Sequence, residues 1–157
     1  MRRILSLTME NEPGALSRIV GLFSQRWYNI DSMTVAATDD PTLSKLTITT
    51  HGDDKVIEQI TKQLNKLVDV LKVVDLTESK HIERELMLIK VNAVGSRRDE
   101  VARCVEIFRG QIVDVSPTSY TVQISGDTAK VEAFIAAMSE LGIIDMSRSG
   151  VVGIQRG

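Results

Sequence analysis

The first half of this chain switches between two spacings of apolar residues. Apolar and polar residues alternate over 5–9, as in a half-buried strand. Apolar residues then recur at helical spacing, and the predicted helix buries four side chains: Leu16, Ile19, Val20 and Phe23. Later patterns predict two strands joined by a turn at 39–42, a helix capped by Asp53 and a strand over 70–76. The predicted order is strand, helix, strand, strand, helix, strand.

The same order returns in the second half, after a polar stretch at 77–83 that we interpret as a linker. A strand over 85–93 comes first, and Ser96 with Asp99 predicts a capping box at the start of the next helix. The other predicted elements are strands over 112–115 and 120–124, a helix capped by Asp127, and an extended segment over 143–154 with a bend near Gly150 and Gly153.

The repeated order indicates an α+β protein made of two tandem ferredoxin-like βαββαβ domains. The predicted domains are 1–76 and 84–157, joined by the linker at 77–83. A core of roughly 75 residues is only marginally stable on its own. The single cysteine, Cys104, excludes an internal disulfide, so we expect a dimer.

Composition narrows the possible functions. The chain has 157 residues, of which 43% are hydrophobic and 25% charged, with a net charge of −2. No basic face or tail predicts nucleic-acid binding, and no apolar run is long enough to predict a membrane span. The single cysteine and the lack of a signal-peptide core predict a cytoplasmic protein. No phosphate loop, nucleophile elbow or metal-ligand cluster predicts catalysis by this chain.

The junction between the first strand and the first helix is the strongest candidate site. Residues 11–16 read Asn-Glu-Pro-Gly-Ala-Leu, so Pro13 and Gly14 open the helix. The free N–H groups and positive dipole of a helix start suit an anion. Without a longer Gly-rich run, the anion should be small, such as one carboxylate. The predicted donors are the N–H groups of Gly14, Ala15 and Leu16.

The second half of this site is predicted around Asn29 and Ile30. In the sheet order 4-1-3-2, strands one and two are parallel, so the loop at 11–16 and Asn29 lie at opposite ends of one sheet. Strand two is an exposed edge, and antiparallel pairing with its two-fold mate would bring Asn29 of a second chain beside that loop. The Asn11 and Asn29 oxygens would then bind an ammonium, and Leu16 and Ile30 would form an apolar wall.

A simpler interpretation of these residues stays open. Asn11 can be an ordinary turn residue, Pro13 and Gly14 an ordinary helix start, and Asn29 the entry to a strand. Spacing alone does not separate the two interpretations, because short motifs recur by chance.

Several stretches of the sequence together resemble one known protein family. The residues at 10–18, 21–26 and 28–32 resemble the ACT domain of acetohydroxyacid synthase (acetolactate synthase) small subunits. The resemblance continues at 39–44, 63–67, 84–88, 107–110 and 148–150, so it covers nearly the whole chain. It implies that the first domain is an ACT domain and that the family's effector segments match Asn11, Gly14, Ala15, Leu16, Asn29 and Ile30.

The resemblance also implies a function. Such small subunits form dimers through their ACT domains and activate a catalytic large subunit that uses thiamine diphosphate, magnesium and FAD. They confer feedback inhibition, usually by valine, in branched-chain amino acid synthesis. No cofactor is expected in this chain. The alternatives are an amino-acid-sensing ACT regulator of another enzyme or of transcription, a stand-alone enzyme, and a purely structural dimer.

Trp27 departs from the family, which commonly has Gly at this position. The position lies just past the first helix, where Gly often adopts positive φ. We therefore expect either a strained backbone at Trp27 or a different helix end. An exposed Trp at this rim would suit contact with a partner.

Overall fold

The computed structural model describes all residues, 1–157, and contains two βαββαβ units. The first unit has these elements: β1 Arg2–Glu10, α1 Ala15–Gln25, β2 Ser32–Ala37, β3 Leu43–His51, α2 Asp54–Asn65 and β4 Val70–Asp75. The second has these: β5 His81–Asn92, α3 Arg97–Ile107, β6 Gln111–Val115, β7 Ser119–Gly126, α4 Thr128–Ser139 and β8 Ile143–Gln155. The predicted fold class and element order are confirmed.

Each sheet has the predicted 4-1-3-2 order: β2-β3-β1-β4 in the first unit and β6-β7-β5-β8 in the second. β3 pairs antiparallel with both β1 and β2, which makes β1 and β2 parallel. β2 is an edge strand, contains no proline and is exposed over 35–37. As an edge strand, β2 presents one side to which another strand can be added.

Each sheet buries one face against its own two helices. In the first unit, Leu5, Leu7 and Met9 of β1 meet Ile19 of α1 and Ile60 of α2. The second unit has a matching core that includes Met87, Ile89, Val101, Val122 and Phe134. Along β5, every second residue is buried from Glu85 to Val91. The half-buried pattern predicted for the first strand is wrong at Ser6, because β1 is buried continuously from Arg3 to Leu7 and Ile4 on its other face packs with Leu76 and Val151.

The predicted apolar face of α1 is only half right. Ile19 and Phe23 are buried, but Ala15 completes their row at four-residue spacing. Leu16 and Val20 are exposed, because each lies about 100° around the helix from its buried neighbour. Leu16 is therefore available for contacts outside the unit.

Two helix starts agree with the sequence and one does not. Asp53 and Asp127 cap α2 and α4, each accepting a backbone N–H at 2.9 Å. The predicted capping box at Ser96 is wrong, because Ser96 has helical backbone angles and its side chain accepts no capping bond. α3 instead begins with a turn at Gly95, whose φ is +61°.

The compact units differ from the predicted domains at two places. By packing, the first unit also includes the first two residues of β5 and the end of β8, so it contains residues 1–82 together with 151–157, and the second contains 83–150. β5 begins at His81, inside the predicted linker. In the first unit, Val151 is buried with Ile4 and Leu76, and a Cβ on Gly153 would lie 2.9 Å from Leu76. Gly153 therefore permits close packing of the last strand residues.

None of the four helices is long and apolar enough to cross a membrane.

A charged cluster ties together three elements of the second unit. Arg148 of β8 donates through Nε and Nη2 to Glu85 of β5, and through Nη1 to Glu132 of α4 at 3.0 Å. The Glu85 side chain is only 3% exposed. The hydrogen bonds to Glu85 raise the pKa of Arg148, which stays cationic.

Candidate functional site

The predicted anion site lies at the N-terminus of α1. Gly14 precedes the helix with φ +84°, a conformation that suits glycine. The N–H of Ala15 donates to the Glu12 carbonyl at 3.2 Å, so it is already used inside the turn. The N–H groups of Gly14, Leu16 and Ser17 have no acceptor within the chain. Two of the three predicted donors are thus available, and Ser17 adds one that the sequence analysis missed.

Asn11 is fixed with its amide oxygen available. Its Nδ2 donates to the Pro41 carbonyl at 3.0 Å, and its backbone N–H donates to Thr42 at 2.8 Å. Thr42 also donates to Asp40, and this hydrogen bond lowers the Asp40 pKa. The β2–β3 turn therefore holds the Asn11 side chain, and Oδ1 remains free to accept a hydrogen bond.

Asn29 has a similar arrangement at the other end of the sheet. Its Nδ2 donates to Asp31 at 2.7 Å, and its carbonyl accepts from the Thr50 hydroxyl. Asp31 in turn contacts His51. Asn29 is exposed with Oδ1 free, and Ile30 packs partly against the core of the first unit.

The two halves of the site do not meet within one chain. Glu10, at the end of β1, pairs with Leu43 of β3. Ser32, at the start of β2, pairs with Thr49 of β3, which in turn pairs with Ile4 near the start of β1, so Asn11 and Asn29 adjoin the sheet at different levels. Six residues of strand separate these levels, roughly 20 Å. The sheet therefore places Asn11 and Asn29 at opposite ends, as the sequence predicts.

Arg18 and Asp69 are the main residues that the sequence analysis missed. Nε and Nη2 of Arg18 donate to the Asp69 carboxylate at 2.5 and 3.0 Å. This hydrogen bonding lowers the pKa of Asp69 and raises that of Arg18, so both stay charged. Arg18 lies four residues after Gly14, a helical spacing that could have revealed it. Asp69 lies 51 residues away from Arg18, and no local pattern links them.

Three carboxylates gather beside this pair. Oxygens of Glu10, Glu12 and Asp69 lie within 4.8 Å of one another, close enough to hold a cation. The Arg18 guanidinium already supplies positive charge to Asp69. The cluster therefore has a partner within the chain.

Trp27 ends α1 with a strained backbone, as one of the two expectations states. Its φ is +60°, and its side chain is 94% exposed. Its N–H donates to Ser24, and the next N–H, from Tyr28, donates to Phe23. These bonds form a Schellman motif in which Trp27 occupies the position that usually belongs to glycine.

Family models match both halves of the chain. A model described as the AHAS small subunit-like ACT domain matches residues 5–72. A second, described as the small subunit of acetolactate synthase, matches residues 84–157. Together they cover most of the sequence.

Individual proteins give the same result over the whole length. The chain is 61% identical to the acetolactate synthase isozyme 3 small subunit of Escherichia coli (strain K12), covering 100% of this chain and 97% of that protein. The acetolactate synthase small subunit of Haemophilus influenzae is 62% identical with the same coverage. The crystal structure of the Thermotoga maritima small subunit superposes with a TM-score of 0.90, at 40% identity, covering 100% of this chain and 98% of that one. The chain therefore belongs to the family of acetolactate synthase small subunits and carries its ACT domain.

Proposed function

We propose that this chain is the non-catalytic regulatory subunit of an acetolactate synthase. It binds and activates a catalytic large subunit, which carries the thiamine diphosphate, magnesium and FAD. A branched-chain amino acid, valine first among them, binds between the ACT domains of two copies and inhibits the assembly. The membership in the small-subunit family supports the first part, and the geometry of Asn11 and Asn29 supports the second.

One observation carries the effector site: both asparagine side chains are held by their Nδ2 groups. Asn11 is held by Pro41 and Asn29 by Asp31, and each Oδ1 is left without a donor. An amino-acid ammonium needs such acceptors. Its carboxylate would accept hydrogen bonds from the free N–H groups of Gly14 and Leu16, at the positive end of the α1 dipole.

The exposed edge strand β2 supports the proposal that a second copy completes the site. Antiparallel pairing of two β2 edges would place Asn29 of the second copy level with Asn11 of the first. The exposed Leu16 of one chain and Ile30 of the other would then face the effector's side chain. Burying a branched aliphatic group between them contributes about 1.5–3 kcal/mol.

Inhibition requires that valine binds two states of the assembly with different affinity. Both halves of the site are hydrogen-bonded to other parts of the first unit: Asn11 to the β2–β3 turn, and Asn29 to β3. A ligand that spans two chains would therefore favour one arrangement of the two ACT domains, and the large subunit would respond to that change.

The test is acetolactate formation from pyruvate by the large subunit reconstituted with this chain. We expect no turnover by the chain alone, activation of the large subunit, and inhibition of the complex by valine. Gly14→Asp should keep activation and lose inhibition, because its carboxylate would occupy the position of the ligand's carboxylate. Gly21→Asp is the matched control, since a Cβ on Gly21 of the same helix meets nothing within 4 Å. Full valine inhibition of the Gly14→Asp complex would contradict the site.

A further inference from the structure

The side chain of Arg18 points back over the N-terminus of its own helix, α1. Helical side chains tilt toward the N-terminus, and here the guanidinium reaches the level of Gly14. A Cβ on residue 14 would lie 2.9 Å from Nη1 of Arg18. Nη1 makes no hydrogen bond within the chain, whereas Nε and Nη2 are both bonded to Asp69. One end of the guanidinium is therefore anchored, and the other is free.

The anchoring gives Arg18 a fixed geometry. The Asp69 side chain is 9% exposed, while that of Arg18 is 52% exposed. The carbonyl of Asp69 also accepts the N–H of Glu10 at 2.8 Å, which fixes Asp69 to the end of β1. A two-point bond to a fixed carboxylate removes most of the rotamer freedom of an arginine side chain before any ligand arrives.

We propose that Nη1 of Arg18 binds the carboxylate of the amino-acid effector, beside the N–H groups of Gly14 and Leu16. This inference rests on the proposed function, because it adds a contact to the same effector site. A guanidinium N–H to a carboxylate is a charge-assisted hydrogen bond, about twice as strong as one between neutral groups. Gly14 is needed here because any Cβ would fill the space in front of Nη1.

The charges around Arg18 also select the class of ligand. Glu10 and Glu12 lie beside Asp69, and Glu12 acts electrostatically on Arg18. A cation flanked by carboxylates complements a zwitterion, whose carboxylate meets the guanidinium while its ammonium stays near the acids. A 2-oxo acid such as pyruvate has the carboxylate but no ammonium. The site should therefore take a free α-amino acid and reject the 2-oxo acids.

The test compares L-valine with L-valinamide, which keeps the ammonium and side chain but lacks the carboxylate. Calorimetric titration of the full chain gives the ratio of the two dissociation constants. We expect Arg18→Gln to weaken valine about tenfold and to change valinamide by less than about twofold. Arg26→Gln, which removes an exposed charge from the other end of α1, should leave the ratio unchanged.

A second variant controls for a loss of binding that is caused by misfolding. Arg18→Gln leaves Asp69 without its partner, so the double variant Arg18→Gln with Asp69→Asn replaces the ion pair by two neutral amides. It should show the same selective loss for valine. An equal loss for both ligands, or no loss, would overturn the role of Arg18 while leaving the proposed function intact. No valine binding to the unaltered chain would overturn both.

Discussion

The rings of Phe23 and Tyr28 meet edge to face, with centroids 5.8 Å apart, while the N–H of Tyr28 donates to the Phe23 carbonyl at 3.0 Å. This pair closes the C-terminus of α1, and Trp27, the residue directly before Tyr28, adopts φ +60°. A left-handed conformation costs a residue with a Cβ about 1 kcal/mol. The exposed Trp27 ring makes no aromatic contact in the chain that would offset this cost.

Trp27→Gly should therefore increase the free energy of unfolding. The comparison that isolates the backbone is Trp27→Gly against Trp27→Ala, since both remove the ring and only glycine relieves the strain. We expect the glycine variant to exceed the alanine variant by about 1 kcal/mol in urea unfolding followed by circular dichroism. An alanine variant as stable as the glycine variant would show that residue 27 is not strained.

The Arg18–Asp69 pair should make stability depend on pH in acid. The folded-state pKa of Asp69 lies below its ordinary value of 3.8, because Arg18 hydrogen-bonds its charged form. The pair's contribution is then complete above the unfolded-state pKa and is lost as pH falls through the folded-state pKa. Asp69→Asn should be less stable than the unaltered chain at pH 7, and the difference should shrink as the pH falls below about 4.

Urea unfolding at a series of pH values measures this difference directly. Glu58→Gln serves as a control, because Glu58 makes only an exposed pair with Lys62 on α2. A difference between Asp69→Asn and the unaltered chain that stays constant down to pH 3 would contradict the coupling.

The buried Glu85 should matter more to the second unit than the exposed Glu132, although both bind Arg148. Removing Glu85 deprives the guanidinium of its two-point partner, so Glu85→Ala should cost about 2 kcal/mol. Glu132 is 56% exposed, and Glu132→Ala should cost less than about 1 kcal/mol. Urea unfolding of the two variants gives both values, and equal costs would be the contrary result.

Much of the fold could be predicted from residues that are close to one another in the sequence. The strand patterns of β1 and β5 and the Asp53 and Asp127 caps depend on neighbouring residues, and the structure has these strands and caps as predicted. The capping box at Ser96 failed because the turn at Gly95 sets the start of α3 instead. Local patterns do not report which of two competing turns forms.

The candidate site was predictable in outline but not in its charges. The loop containing Gly14 follows from a strand feeding a helix, and its separation from Asn29 follows from the sheet order. The Arg18–Asp69 pair joins residues 51 positions apart, and the placement of 151–157 in the first unit depends on the fit of Gly153 against Leu76. Such long-range contacts leave no periodic signal in a single sequence.

In the proposed function, each effector site combines Asn11–Leu16 of one copy with Asn29 and Ile30 of another. Mixing two defective chains tests it: Gly14→Asp has a damaged loop, and Asn29→Ala has a damaged second segment. Neither should bind valine alone. A mixed dimer would contain one site with both defects and one intact site.

The measurement is calorimetric titration of valine into a tagged, purified mixed dimer of these two variants. We expect binding to return with unaltered affinity at one valine per dimer, half the number bound by the unaltered dimer. No binding to the mixed dimer would contradict the shared site, because a site built within one chain would be damaged in both copies.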